Sequence, residues 1–258
     1  MAKSDKVDRK ILEYRSYKIV KANDLIQRSR FNLQMQEQKI ILYLISKIKP
    51  EDIVLKEQIF QIRDFCKVCG LETDSGMTYN YIRQTLKDLR DKSVWVTLDD
   101  GSEVILSWID TVKLNKQSGE VSIKISEMIK PYLLQLKEHY TQYELLYTLA
   151  MKSRYSLRLY ELLKSYEYQH SKIFDIEELK KLLSADNYTR FPDFKRKVLD
   201  IAMYEINNLS DLIIEYAIVK ESRRFAKLQF SIKRKKELGE KAAMWAKITE
   251  KIDGKGEL

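Results

Sequence analysis

The stretch FPDFKRKVLDIAMYEIN, residues 191–207, places Lys195, Arg196 and Lys197 side by side, just after Arg190 and Pro192 and just before an apolar run. Cations in a helix's first turn oppose the helix dipole unless an outside anion arrives. Phosphate is the anion that this geometry suits. A second basic concentration follows in KESRRFAKLQFSIKRKK, residues 220–236, with eight Lys/Arg against one Glu; it contains Lys220, Arg223, Arg224 and Lys227. The chemistry indicated is recognition of a polyanion, not bond-making. A nucleophilic tyrosine beside a histidine-bound metal would need closely spaced histidines, whereas the 16 Tyr share the chain with only His139 and His170. No G-x-x-x-x-G-K-[ST] segment supports a nucleotide phosphate loop. Cys66 and Cys69 in CKVC have no second pair or nearby histidine to close a zinc site, so they read as core thiols. The expectation is a protein that is not an enzyme and uses no metal or cofactor.

Composition agrees. The net charge is +9 and the pI near 9.2, which favours nucleic acid or an anionic membrane surface as partner. The longest apolar run, IILYLI at 40–45, is far below the roughly 20 residues of a membrane span. The first ten residues, MAKSDKVDRK, lack the apolar core of a secretory signal, so a cytoplasmic protein without a membrane partner is expected.

The elements that must carry these cations can be read from periodicity. At about 100° per residue, Phe194, Val198, Ile201, Ala202, Ile206 and Leu209 fall on one face of a helix, and Arg196, Lys197, Asp200, Tyr204 and Asn207 on the other. Glu205 falls inside the apolar arc; its carboxylate either finds a partner in Arg154 or Arg158 or turns to solvent. The pattern recurs. IFQIRDFCKVCGL (59–71) matches IFDIEELKKLLSA (173–185), each a short strand running into an amphipathic helix. Ile82, Leu86, Leu89 and Ser93 then match Leu199, Met203, Ile206 and Ser210, and Val121, Ile123 and Ile125 match Leu228, Phe230 and Ile232 in alternating strands. Helix, strand, helix, longer helix and β-hairpin in that order is the plan of a winged helix. The expected fold is therefore α+β, mainly helical, with two tandem winged helices related by an internal repeat.

The expected limits are a flexible segment at 1–15, a first winged helix at 16–139, a second at 140–235 and a charged tail at 236–258. The first domain should open with a helix capped by Asn32 and stopped by Pro50. Residues 144–166 should form its counterpart helix, 127–138 a bridging helix interrupted at Pro131, and 96–106 a hairpin turning at Asp100-Gly101. The longer helix of the first repeat presents Asn80, Arg83, Gln84 and Lys87, diluted by Asp88 and Asp91, so the second domain should grip DNA more strongly. A lipid-binding protein would instead show one continuous basic amphipathic helix.

Over about residues 17–234 the sequence resembles the plasmid replication initiators that bind iterons. The resemblance rests on VKANDLIQ (20–27) with QEQKIILYLISKI (36–48), on SRYSLRLYELLKSY (153–166), on FPDFKRKVLDIAMYEINNLSDL (191–212) and on RFAKLQFSI (224–232). It implies tandem winged helices that bind double-stranded DNA: monomers on origin direct repeats through both domains, dimers on an operator through the first domain, repressing their own gene. It also implies a homodimer in equilibrium with monomer and contacts with host replication proteins. The alternative is a dedicated transcriptional repressor with the same two domains.

Overall fold

The computed structural model describes residues 2–49, 52–71, 76–221, 224–235 and 238–253. The first half runs α1 (Ala2–Ser16), β1 (Lys18–Ala22), α2 (Asn23–Gln27), β2 (Ser29–Arg30), α3 (Met35–Ile45), β3 (Gln58–Gln61), α4 (Ile62–Cys69), α5 (Gly76–Arg90), β4 (Ser93–Thr97), β5 (Glu103–Ser107), β6 (Ile109–Asn115) and β7 (Glu120–Ile125). The second runs β8 (Tyr140–Glu144), α6 (Leu146–Leu149), α7 (Arg154–Ser165), β9 (Ser171–Asp175), α8 (Ile176–Leu182), α9 (Phe191–Phe194), α10 (Asp200–Leu209), β10 (Leu212–Glu221), β11 (Arg224–Arg234) and α11 (Leu238–Ile252).

The repeat is visible in the register of the sheets. β7 lies between β3 and β6, and β11 lies between β9 and β10. Phe60 stands opposite Val121 in the first sheet, and Phe174 opposite Leu228 in the second. These are the positions that the sequence repeat equates. Alternation puts Val121, Ile123 and Ile125 in one core and Leu228, Phe230 and Ile232 in the other, all buried. The first half adds a three-stranded sheet in the order β2-β4-β5, whose hairpin turns at Gly101 with φ +82°, a conformation that glycine adopts without a Cβ penalty.

Several expected elements are drawn differently. The opening helix starts at Met35, behind Gln34, whose N–H donates to the Glu37 carboxylate at 2.6 Å, and ends at Ile45. Asn32 instead accepts from Arg154. Residues 144–166 are not one helix: β8 pairs antiparallel with β1, and α7 begins afresh at Ser153, whose hydroxyl accepts from the N–H groups of Tyr155 and Ser156. Residues 127–132 form a 3-10 helix containing Pro131, shorter than the bridging helix expected there. The charged ends fold as α1 and α11. Arg15 is buried because it donates to the carbonyls of Lys67 and Val68 at the end of α4 and pairs with Asp253 at 2.7 Å. Gly70, at φ +67°, ends α4, and a Cβ there would lie 2.1 Å from the Ile252 carbonyl oxygen, so α11 closes on a position open only to glycine.

The halves are tied by buried polar groups. Glu161 of α7 accepts from Lys21 of β1 and from the Tyr143 hydroxyl of β8. Arg158, also on α7, donates to Ile26 O at 2.8 Å, Ser29 O at 2.7 Å and Leu182 O at 3.2 Å, and lies 4.7 Å from the Phe31 ring. Phe31 meets the buried Trp108 edge to face at 5.2 Å. Near the end of α3, the Lys47 ammonium sits 4.5, 5.1 and 5.5 Å from the rings of Tyr43, Phe60 and Tyr14, and burial lowers its pKa to about 8.

Candidate nucleic-acid interface

In each repeat the longer helix lies beside a small core and turns its other side to solvent. On α5, Ile82, Leu86 and Leu89 are buried while Asn80, Arg83, Gln84 and Lys87 are exposed, the face expected from the sequence. Gln84 donates to Asp88 at 2.6 Å, so the diluting carboxylate occupies a neighbour on that same face. The partner hairpin β6–β7 turns at Gly119 and exposes Lys113, Lys116 and Lys124. The sequence reading did not single these out, because β6 carries no run of charge; their signal was position in the hairpin alone.

In the second repeat, α9 and α10 are joined by a π turn over Lys195–Leu199, and the three form one continuous helical rod. Pro192 sits in the first turn, where its missing N–H costs nothing. Arg190, Arg196 and Lys197 are exposed, as expected. Lys195 is partly covered and pairs with Asp200 at 2.7 Å, a hydrogen bond that raises the lysine's pKa. Arg196 reaches Asp193 at 3.5 Å, and the Lys197 ammonium stands 5.8 Å from the Tyr188 ring. Lys227 is partly buried on β11. The strands carry Lys220 and Arg224 at the tip of the hairpin, with Glu221 opposite Arg224, but the side chains of Lys220 and Arg224, and all of Arg223, lie outside the described residues.

Two expectations about this helix change. Ile201 is not on the buried face: it is 43% exposed, beside Tyr204 at 57%. A π turn holds one residue more than an α turn, so residues beyond it are rotated by about 100° relative to an uninterrupted helix. That rotation leaves Ala202, Ile206 and Leu209 with Phe194 in the core and moves Ile201 out. Glu205 is buried, yet neither Arg154 nor Arg158 is its partner. Its carboxylate accepts from the backbone N–H groups of Lys152 and Ser153, at 2.9 and 3.1 Å, where α7 begins. An anion suits that helix end, and the bond fixes the longer helix to α7.

Cys66 and Cys69 are buried and unpaired, and burial pushes their thiols up to about 11 and about 12. Among the described residues no group of three His, Cys, Asp or Glu could hold a metal ion, and no helix is long and apolar enough to cross a membrane.

Residues 18–164 match the family model of the initiator replication protein, WH1, and residues 175–232 that of the initiator Rep protein, WH2. The chain belongs to the initiator replication protein family. Its α+β fold is that of the family's two winged helices. A replication initiation protein of Escherichia coli is 28% identical over 206 residues, covering 75% of this chain and 63% of the relative. The PI protein of Escherichia coli is 30% identical over 147 residues, 50% of this chain and 48% of that protein. The initiator chain thus aligns with less than two thirds of the length of either curated relative. The crystal structure of a Pi initiator protein in complex with iteron DNA has the same fold: the TM-score is 0.70 at 23% identity, over 86% of this chain and 99% of that one.

Proposed function

We propose that this initiator-family protein binds double-stranded DNA sequence-specifically at the direct repeats of a plasmid origin and so starts replication, without catalysing a reaction itself. The observation that carries the reading is the duplicated helix face: α5 and the α9–α10 rod each bury one side in an equivalent small core and leave a polar, cationic side free, beside an equivalent hairpin. A helix of this kind enters a major groove, and a wing meets backbone or minor groove. The relatives' names and the solved complex with iteron DNA support the same reading. Under it, the second winged helix gives the stronger grip. A dimer formed through the first winged helix represses the protein's own gene at an operator, in equilibrium with a monomer that binds the repeats and recruits host replication proteins. Surface cations, not a cofactor, do the work.

The test is persistence. A circle that cannot replicate by itself is supplied with this gene and its adjacent direct repeats, and its maintenance in dividing cells is followed. Maintenance that is lost when the repeats are removed supports an initiator. Specific DNA binding with no maintenance would favour the dedicated repressor.

A further inference from the structure

The exposure of Ile201 needs a reason. An uninterrupted α-helix would place Ile201 about 20° from the buried Phe194, at seven residues' separation and about 100° per residue. The helix departs from α geometry over Lys195–Leu199 and turns this β-branched apolar side chain to water, next to the exposed ring of Tyr204. π turns are rare and concentrate at functional sites. The exposed arc reads Arg196, Lys197, Asp200, Ile201, Tyr204 from its N-terminal end. The first two are placed for phosphates. Asp200 is held by Lys195 at 2.7 Å. What remains at the centre of the arc is apolar, and in a major groove the apolar group on offer is the C5-methyl of thymine.

We infer that Ile201 is a specificity-determining residue that reads a thymine methyl group, with Tyr204 closing the contact against water. The inference rests on the proposed DNA-facing role of this helix and goes further by naming the base and the group recognised. A cation reaching base edges from the same place would favour guanine, whereas a branched alkyl group selects the thymine methyl by fit and desolvation.

The experiment uses the full chain and a pool of randomised duplexes. Sequences enriched by the wild-type protein are resynthesised with each thymine replaced singly by deoxyuridine, which lacks only the methyl. One position is expected at which uracil weakens wild-type binding by about three- to fivefold, the worth of one buried methyl. Ile201→Ala should bind the thymine duplex as weakly as the wild type binds the uracil duplex, and should show no further loss on uracil. Ile201→Val should keep part of the discrimination. Because the side chain is exposed, the thermal midpoint of both variants should match the wild type, which separates lost reading from lost folding. Uracil replacement that is harmless everywhere, or an equal uracil penalty in wild type and Ile201→Ala, would overturn the inference while leaving DNA binding intact. Enrichment of no sequence at all would remove the DNA-reading role itself, and this assignment with it.

Discussion

Replacing Arg158 by Met should uncouple the two winged helices more than any other single change on α7. The side chain is 2% exposed and donates to three carbonyls, those of Ile26, Ser29 and Leu182. The first two belong to the α2–β2 corner and the third to the end of α8, so one guanidinium spans both halves. Methionine restores the apolar stem against Phe31 but no donor. Each stranded buried acceptor costs about 1–3 kcal/mol, and removing one partner from a buried charged network costs about 3–5 kcal/mol, so a loss of about 3–5 kcal/mol is expected. At about 2–4 °C per kcal/mol for a chain of this size, the melting midpoint should fall by roughly 6–20 °C. Urea titration followed by circular dichroism and by tryptophan fluorescence is the assay. Trp108 packs on Phe31, the ring that faces Arg158, so fluorescence should report the loosened corner early. Arg154→Met, at a half-buried site bonded to Asn32, is the control and should cost less than about 1 kcal/mol. A loss below about 1 kcal/mol for Arg158→Met would refute the claim that this side chain holds the halves together.

Arg196→Ala and Lys197→Ala should each weaken DNA binding more than Arg83→Ala, and each lost phosphate contact should lower the slope of log affinity against log salt by about 0.9; a reversed order in titrations across salt would contradict the stronger second grip. Lys47 keeps its proton in the unfolded chain to near the ordinary lysine value of 10.5 but, desolvated by burial, releases it near 8 when folded. Between those values the unfolded state binds more protons, so stability should rise with pH relative to Lys47→Met, and parallel urea-unfolding profiles of the two proteins from pH 7 to about 10 would exclude the effect. With thiols pushed to about 11 and about 12, Cys66 and Cys69 should resist iodoacetamide at pH 8 in the folded protein and react after denaturation; rapid native labelling would show that they are not core residues.

The repeated strand–helix units were legible because both periods are local. Ile59, Phe60 and Ile62, like Ile173, Phe174 and Ile176, announce a strand turning into a helix without help from distant residues, and the register of Phe60 and Phe174 follows. The outward face of α5 was equally open to reading, since an unbroken α-helix obeys the 3.6-residue rule. That rule misplaced Ile201, because a π turn adds one residue without any marker in composition. The break before α7 was hidden for a different reason. The N–H groups of Lys152 and Ser153 are satisfied by Glu205, which lies far along the chain, and only tertiary structure brings it there. Likewise Arg15 looks like one more charge in a polar segment until the carbonyls of α4 and the Asp253 carboxylate surround it. The lysines of the β6–β7 hairpin were overlooked because they are dispersed in sequence: Lys116 lies in the turn, while Lys113 stands opposite Ser122 and Lys124 opposite Thr111 along the ladder.

The pairing of β1 with β8 has a consequence for how the molecule is made. β1 is near the start of the chain, and its hydrogen-bonding partner follows the whole first repeat. Local helices and hairpins need only short loops to close, whereas this ladder must bring together ends separated by a long stretch of chain, at a larger entropic cost. On a translating ribosome, β1 therefore waits with its backbone groups in water until β8 emerges. The bonds from Arg158 to Ile26 and Ser29 wait longer still, and the one to Leu182 longest. At about 5–20 residues per second, the roughly 120 residues from β1 to β8 take about 6–24 seconds, during which an exposed strand is free to pair with a neighbouring nascent chain. β1 is thus sealed only after the whole first repeat has been made, so a slow codon or a bound chaperone between β8 and α8 would act on the assembly of the first winged helix, not the second.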